Sequence, residues 1–174
     1  MAACSSIDCP VQNTVSTLYC IVDDSGAELT LSDTLTVTTH RSDHSDTILL
    51  NQAIDISSFT LPISYSHPED ELFFSFAKPV STTDDSSDTT GDETGDETGD
   101  ETQATDDHVV TDTVWVKKDD TPHFESVDCQ VTFFHKITAV RSTHHYIDTI
   151  VINNPSVNYD QETVNFRLYP KTDN

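Results

Sequence analysis

Apolar and polar residues alternate along most of this chain with the period of a β-strand. Leu29, Leu31, Leu35 and Val37 fall on odd positions, with Thr30, Ser32, Thr34, Thr36 and Thr38 between them. Successive strand side chains point to opposite faces, so such a segment buries one face and wets the other. Val164, Phe166 and Leu168 alternate with Asn165 and Arg167 in the same way. Val131, Phe133, Ile137 and Ala139 do so as well, with His135 on the same parity. Helical periodicity is nearly absent. Thr, Val, Ile, Phe and Tyr run in short stretches cut by Asp, Asn, Ser and Pro.

The pattern predicts nine strands: Val15–Val22, Leu29–Thr38, Thr47–Leu50, Ser58–Ile63, Leu72–Ala77, Val109–Lys117, Val131–Val140, Tyr146–Ile152 and Thr163–Tyr169. Nine short strands at even spacing imply an all-β fold. An antiparallel β-sandwich is the first expectation and a small β-barrel the alternative. Residues 1–13 read as an N-terminal tether. Residues 14–174 read as a single β domain, interrupted at 79–107.

That interruption accounts for much of the charge. Gly-Asp-Glu-Thr repeats in tandem at 91–94, 95–98 and 99–102. Eleven acids and no Lys or Arg lie between Pro79 and Asp107, which is −11 of the formal −23. The Gly-Asp-Glu-Thr run has no apolar side chain to bury and repels itself, so the segment is expected to be disordered. It separates two strand candidates, so it reads as an expanded hairpin tip; lengthening a loop costs little closure entropy. Net charge this negative argues against nucleic acid as a partner and against adsorption to anionic lipid. No run of 18 apolar residues is present to form a transmembrane helix.

The N-terminus carries a candidate anchor. Met1-Ala2-Ala3-Cys4-Ser5-Ser6 has no basic or apolar signal region. Small residues directly before a Cys are, however, the pattern at which bacterial lipoproteins are cleaved and lipidated. On that reading Cys4 is the lipidated residue and a longer precursor precedes it. An ordinary flexible N-terminus with an incidental Cys is the alternative. With Cys4 lipidated, Cys9, Cys20 and Cys129 remain, enough for one bridge. Cys20 lies in an apolar strand candidate and reads as a small core residue. Cys9 and Cys129 follow similar tripeptides, Ser6-Ile7-Asp8 and Ser126-Val127-Asp128, each at a break before a strand. A Cys9–Cys129 disulfide is the expectation, and two free thiols in a cytosolic protein the alternative.

Other motifs are weaker. His123, His135, His144 and His145 cluster in sequence, but their spacing fits no standard zinc pattern. Solvated loop histidines are the leading reading, with a metal- or small-ligand-binding face around His123, His135 and His144 behind it. The acidic repeats lack EF-hand spacing. No nucleophile elbow, P-loop or dinucleotide glycine pattern occurs, so an enzyme is a minor hypothesis, as a hydrolase with an unrecognised site. No cofactor is expected. Asp-Thr-apolar recurs at Asp33-Thr34-Leu35, Asp46-Thr47-Ile48, Asp112-Thr113-Val114 and Asp148-Thr149-Ile150, with Asp88-Thr89-Thr90 in the insertion. The structural reading is a turn-ending Asp followed by a strand-opening Thr. The triplet also resembles the O-glycosylation acceptor of exported Bacteroidota proteins, making Thr34, Thr47, Thr89, Thr113 and Thr149 candidate acceptors.

Four stretches together resemble a known family: Cys4 to Pro10 (CSSIDCP), Leu61 to Tyr65 (LPISY), Pro122 to Cys129 (PHFESVDC) and Arg141 to Asn154 (RSTHHYIDTIVINN). They are similar to a lipoprotein family of unknown function from gut Bacteroidales. The resemblance covers most of the chain outside 79–107. It implies a cell-envelope location, a lipid anchor at Cys4 as the only membrane attachment, and no assigned activity. The functional expectation is a non-enzymatic envelope lipoprotein presenting a β-sandwich to a protein or glycan partner.

Overall fold

The computed structural model describes residues 15–41, 45–78, 109–126 and 129–171. It holds ten strands and, among the described residues, no helix: β1 (Ser16–Ile21), β2 (Thr34–His40), β3 (Asp46–Ala53), β4 (Ser58–Pro62), β5 (Glu69–Ala77), β6 (Val109–His123), β7 (Thr132–Ser142), β8 (Ile147–Ile152), β9 (Ser156–Val157) and β10 (Phe166–Pro170). Two sheets face each other, in the orders β4-β1-β10-β8 and β3-β2-β5-β6-β7-β9. This is the expected all-β sandwich. One pairing departs from the antiparallel rule: β1 and β10 run parallel, with Tyr19 opposite Phe166.

The core follows from alternation. Leu35 and Val37 of β2, Phe74 and Phe76 of β5, Val114 and Val116 of β6, and Phe166 and Leu168 of β10 are all buried. Tyr19 of β1 is the central ring. It stacks on Phe59 at 5.0 Å and Phe166 at 4.7 Å, and meets the Phe74 edge at 5.9 Å across the sheets. Offset and edge-on rings of this kind add to the stabilisation from burial alone.

Several boundaries differ from expectation: β3 extends to Ala53, β5 begins at Glu69 and β10 begins at Phe166. β2 begins at Thr34 rather than Leu29, because Leu29 and Leu31 donate their N–H groups to Ile21 and Ile56 instead of to a β2 neighbour. Leu31 still enters the core, whereas Leu29 is partly exposed. β6 continues past Lys117 to His123, because β7 pairs with it throughout, as far as His123 opposite Thr132. β9 is only two residues long and was not expected. Cys20, expected in the core, is half-buried on the outward parity between Tyr19 and Ile21.

The registers define two ends. Ser16 pairs with Pro62, and Glu69 with Lys117, at one end. Ala77 pairs with Val109, and Pro170 with Ile147, at the other. The chain therefore enters β1 at one end, and the ends of the 79–107 segment meet at the opposite end. The expected disorder of 79–107 and the tether 1–13 lie outside the described residues. Since Ala77 and Val109 are already paired, deleting 84–106 should leave the far-ultraviolet circular dichroism unchanged. The free energy of unfolding should change by no more than about 1 kcal/mol. A larger loss would mean that the insertion contributes to the core.

Candidate functional site

The inward face of β6 carries an unusual series: Asp112, Val114, Val116, Lys118 and Asp120. Asp112 and Lys118 are buried, although charged side chains are rarely so. Each charge finds partners at its own end of the sandwich.

Asp112 sits at the end where Ala77 meets Val109. Its Oδ1 accepts the Thr143 hydroxyl and the His145 N–H, both at 2.6 Å. Its Oδ2 accepts the N–H groups of Tyr146 and Ile147, both at 2.7 Å. Burial alone would raise this carboxyl's pKa, but the donors from Ile147, Thr143, His145 and Tyr146 outweigh it and hold it below the usual carboxylate range. The clamped turn carries β7 of one sheet into β8 of the other. Within it, His144 adopts a positive φ of 59°. The expectation that Asp112 ends a turn is therefore corrected. It lies inside a strand and secures a turn elsewhere.

At the opposite end, the Lys118 side chain is fully buried. Its Nζ donates to the His67 carbonyl at 2.5 Å and to Asp70 Oδ1 at 3.3 Å. Asp70 Oδ2 accepts the Ser64 N–H at 3.2 Å. Burial pushes the Asp70 carboxyl up, against the opposing pull of Lys118, the Ser64 N–H and His135. His135, buried on the parity the sequence implied, pairs through Nδ1 with Asp120 Oδ1 at 2.6 Å. A one-residue bulge makes this geometry: Lys117 pairs with Ala139 but Lys118 with Ile137, leaving Thr138 extra on β7.

Beside Asp70 lies a polar cleft of about 510 Å³. It is lined by Thr39, His40 and Arg41, by Ser64, Ser66 and His67 of the β4–β5 connection, and by Glu69 to Glu71. His40 pairs with Asp46 and packs against Phe73 at 4.6 Å. The Ser64 and Ser66 hydroxyls bond each other at 2.9 Å rather than an imidazole, so among the described residues the cleft shows no nucleophile–base pair in contact. On the adjoining outer face, Trp115 donates to Glu71 at 2.8 Å and lies 3.8 Å beneath the Arg141 guanidinium.

The histidines expected as a weak metal group do not converge. His123 stacks on Phe134 at 4.2 Å and contacts Glu125, on the face opposite to His135. His144 donates to the Asp148 carbonyl at 2.7 Å in the far turn, where His145 contributes its backbone N–H to Asp112. No group of three or more metal-ligating side chains occurs among the described residues. Of the glycosylation candidates, Thr149 is exposed on edge strand β8, and Thr34, Thr47 and Thr113 are half-buried. Cys4, Cys9 and Thr89 lie outside the described residues.

Residues 34–93 and 95–170 match DUF6452, a family of unknown function. The chain belongs to this family. The match spans β2 to β10 and so includes Asp70, Asp112, Lys118 and His135, as well as most of the 79–107 segment. No curated protein and no solved structure matches the chain.

Two substitutions test this buried chemistry in the DUF6452 chain. Asp112→Asn keeps the shape but turns an NH₂ toward backbone donors. It should cost about 3 kcal/mol at neutral pH by urea denaturation. Because the native carboxyl titrates below its unfolded value, its stabilisation is complete above the unfolded pKa and is lost as pH falls through the folded one. The deficit of the variant should therefore shrink in acid. A neutral deficit under about 1 kcal/mol would contradict the clamp.

At the other end, Lys118→Met strands the Asp70 carboxylate and should cost about 3 kcal/mol, whereas Lys118→Met with Asp70→Asn should recover most of that loss. Equal losses in the single and double variants would show that the ion pair is not the relevant interaction.

Proposed function

We propose that this protein is a non-enzymatic cell-envelope lipoprotein of a Bacteroidales-type bacterium, anchored through lipid on Cys4, that presents its β-sandwich to a protein or glycan partner. The observation that carries the reading is the opposition of the two ends. The N-terminal segment joins β1 at Ser16, beside Pro62, while the acidic insertion springs from Ala77 and Val109 at the far end. Along β5 the two ends lie about 26 Å apart. A tether joined at one end and a long acidic segment joined at the other suit a domain held off a surface. That separation between the points of attachment is about three Debye lengths at physiological salt.

Further support comes from the small residues before Cys4 and from the cysteines. Cys20 carries a free thiol, whereas Cys129 does not. A bridge from Cys129 to Cys9 fits the similar tripeptides before each and would pin the tether to the start of β7. The alternatives have less to rest on. His123 and His135 lie on opposite faces of the sheet, and the Ser64 and Ser66 hydroxyls are not bonded to an imidazole.

Expression from its own gene in the native host, with an alkyne fatty acid supplied, tests the anchor. The wild-type protein should take up label and sediment with membranes, and Cys4→Ala should lose both properties. An unlabelled wild-type protein in the soluble fraction would overturn the reading.

A further inference from the structure

We propose that the end of the sandwich bearing Tyr65, Phe124, Val131 and Phe133 rests on the lipid surface to which the chain is anchored. This rests on the anchor reading above and adds an orientation to it.

Three of these side chains are exposed although apolar or aromatic: Tyr65 at 68%, Phe124 at 69% and Val131 at 41%. They lie together. Tyr65 stacks on Phe133 at 5.2 Å with the rings nearly parallel, leaving its other face to solvent. Phe133 pairs with Pro122, and Phe124 and Val131 flank the last pair of the β6–β7 ladder, His123 with Thr132. Pro122, Phe124, Val131 and Phe133 share one parity at the end of this ladder, so the group occupies the tip of one end of the sandwich. Singly exposed apolar residues need no explanation, but a contiguous aromatic tip does.

The chain itself names the occupant. Tyr65 follows Pro62 by three residues, and Pro62 pairs with Ser16, where the N-terminal segment enters the fold. Ser16 lies twelve positions after Cys4, a reach of about 40 Å at most. With Cys9 bridged to Cys129, the lipid is five positions from the bridge, a reach of about 17 Å. Both lengths start from this end, and the bridged reach is shorter than the roughly 26 Å between the two ends, so it holds this end, and not the other, against the bilayer.

The chemistry suits that position. Tyrosine and other aromatic rings favour the membrane–water interface, where an apolar body can enter while a polar edge stays wet. Lipid attachment holds more firmly when a second contact adds to it. The contact requires no basic patch, so a zwitterionic lipid serves and the net negative charge does not oppose it.

The test uses the full chain with a hexahistidine tag at residue 1, held on phosphatidylcholine vesicles by a nickel-chelating lipid. The tag replaces the lipid, so the outcome does not depend on native lipidation, which the fatty-acid labelling reads separately. Phe124→Trp adds a second indole to Trp115, and Tyr65→Trp provides an independent probe. Each added indole should emit further to the blue on vesicles than in solution. Each should also lose at least half its emission when the acyl chains are brominated near the headgroup, with wild-type Trp115 unaffected. Added indoles that are neither shifted nor quenched on vesicle-bound protein would overturn the proposal while leaving the anchor reading intact. A vesicle-free dimer that Phe124→Asp converts to monomer would also overturn it, assigning the tip to a second copy of the chain.

Discussion

The joining of the two sheets depends on one buried carboxylate. Asp112 takes four donors from a five-residue stretch, Thr143 to Ile147. That stretch ends one sheet and begins the other. The Ile147 N–H is buried and those of His145 and Tyr146 are partly so, and an unpaired buried donor is expensive. A neighbouring strand cannot satisfy them because the chain is changing sheets. A carboxylate pointing inward from β6 supplies two oxygens at the required place. The same turn delivers Tyr146 onto Phe76, where the rings stack at 3.8 Å, and Ile147 into the core. Polar clamp and aromatic packing thus hold one corner together.

The opposite end is solved differently. There the inward face of β6 ends in Lys118 and Asp120, and the core closes over charges rather than rings. Asp70 answers Lys118, and Asp120 answers His135. Such pairs contribute little net stability, because desolvation offsets attraction, but losing one member is costly. Their consequence is geometric. They fix the β4–β5 connection over the end of the core through the His67 carbonyl and the Ser64 N–H. That connection lines the polar cleft and carries Tyr65 to Phe133. Both the cleft and the aromatic tip are therefore built on buried charge.

Much of the fold was legible in the sequence, and the reason is the alternation itself. Every expected strand overlaps a real one, because β-branched and aromatic residues at every second position have few other ways to bury one face. The errors fall where side chains and backbone disagree. Leu29 and Leu31 alternate correctly, yet their backbone bonds lead elsewhere. The last third of β6 was missed because Lys118, Asp119, Asp120 and Pro122 look like a loop, and only pairing with β7 makes them strand. Asp112 was misread for a related reason. Asp-Thr-Val resembles a turn followed by a strand, but Val110, Asp112, Val114 and Val116 share one parity. That parity places the carboxylate on the buried face and was the available signal. The cleft and the aromatic tip had no such signal, since the cleft joins residues 39–41 to 64–71 and the tip joins Tyr65 to the β6–β7 hairpin, stretches far apart in the chain.

Native-state hydrogen exchange tests the role of Asp112 most directly. The N–H groups of Tyr146 and Ile147 sit at the turn before β8 and at its first residue, where backbone amides ordinarily exchange within local openings. If the carboxylate holds the corner, both should exchange only when the whole protein unfolds, with a free energy equal to that of core amides such as Phe74 and Val114. Exchange of the two amides several kcal/mol more easily than those core positions would show that the corner opens on its own, and that the joining of the sheets does not depend on Asp112.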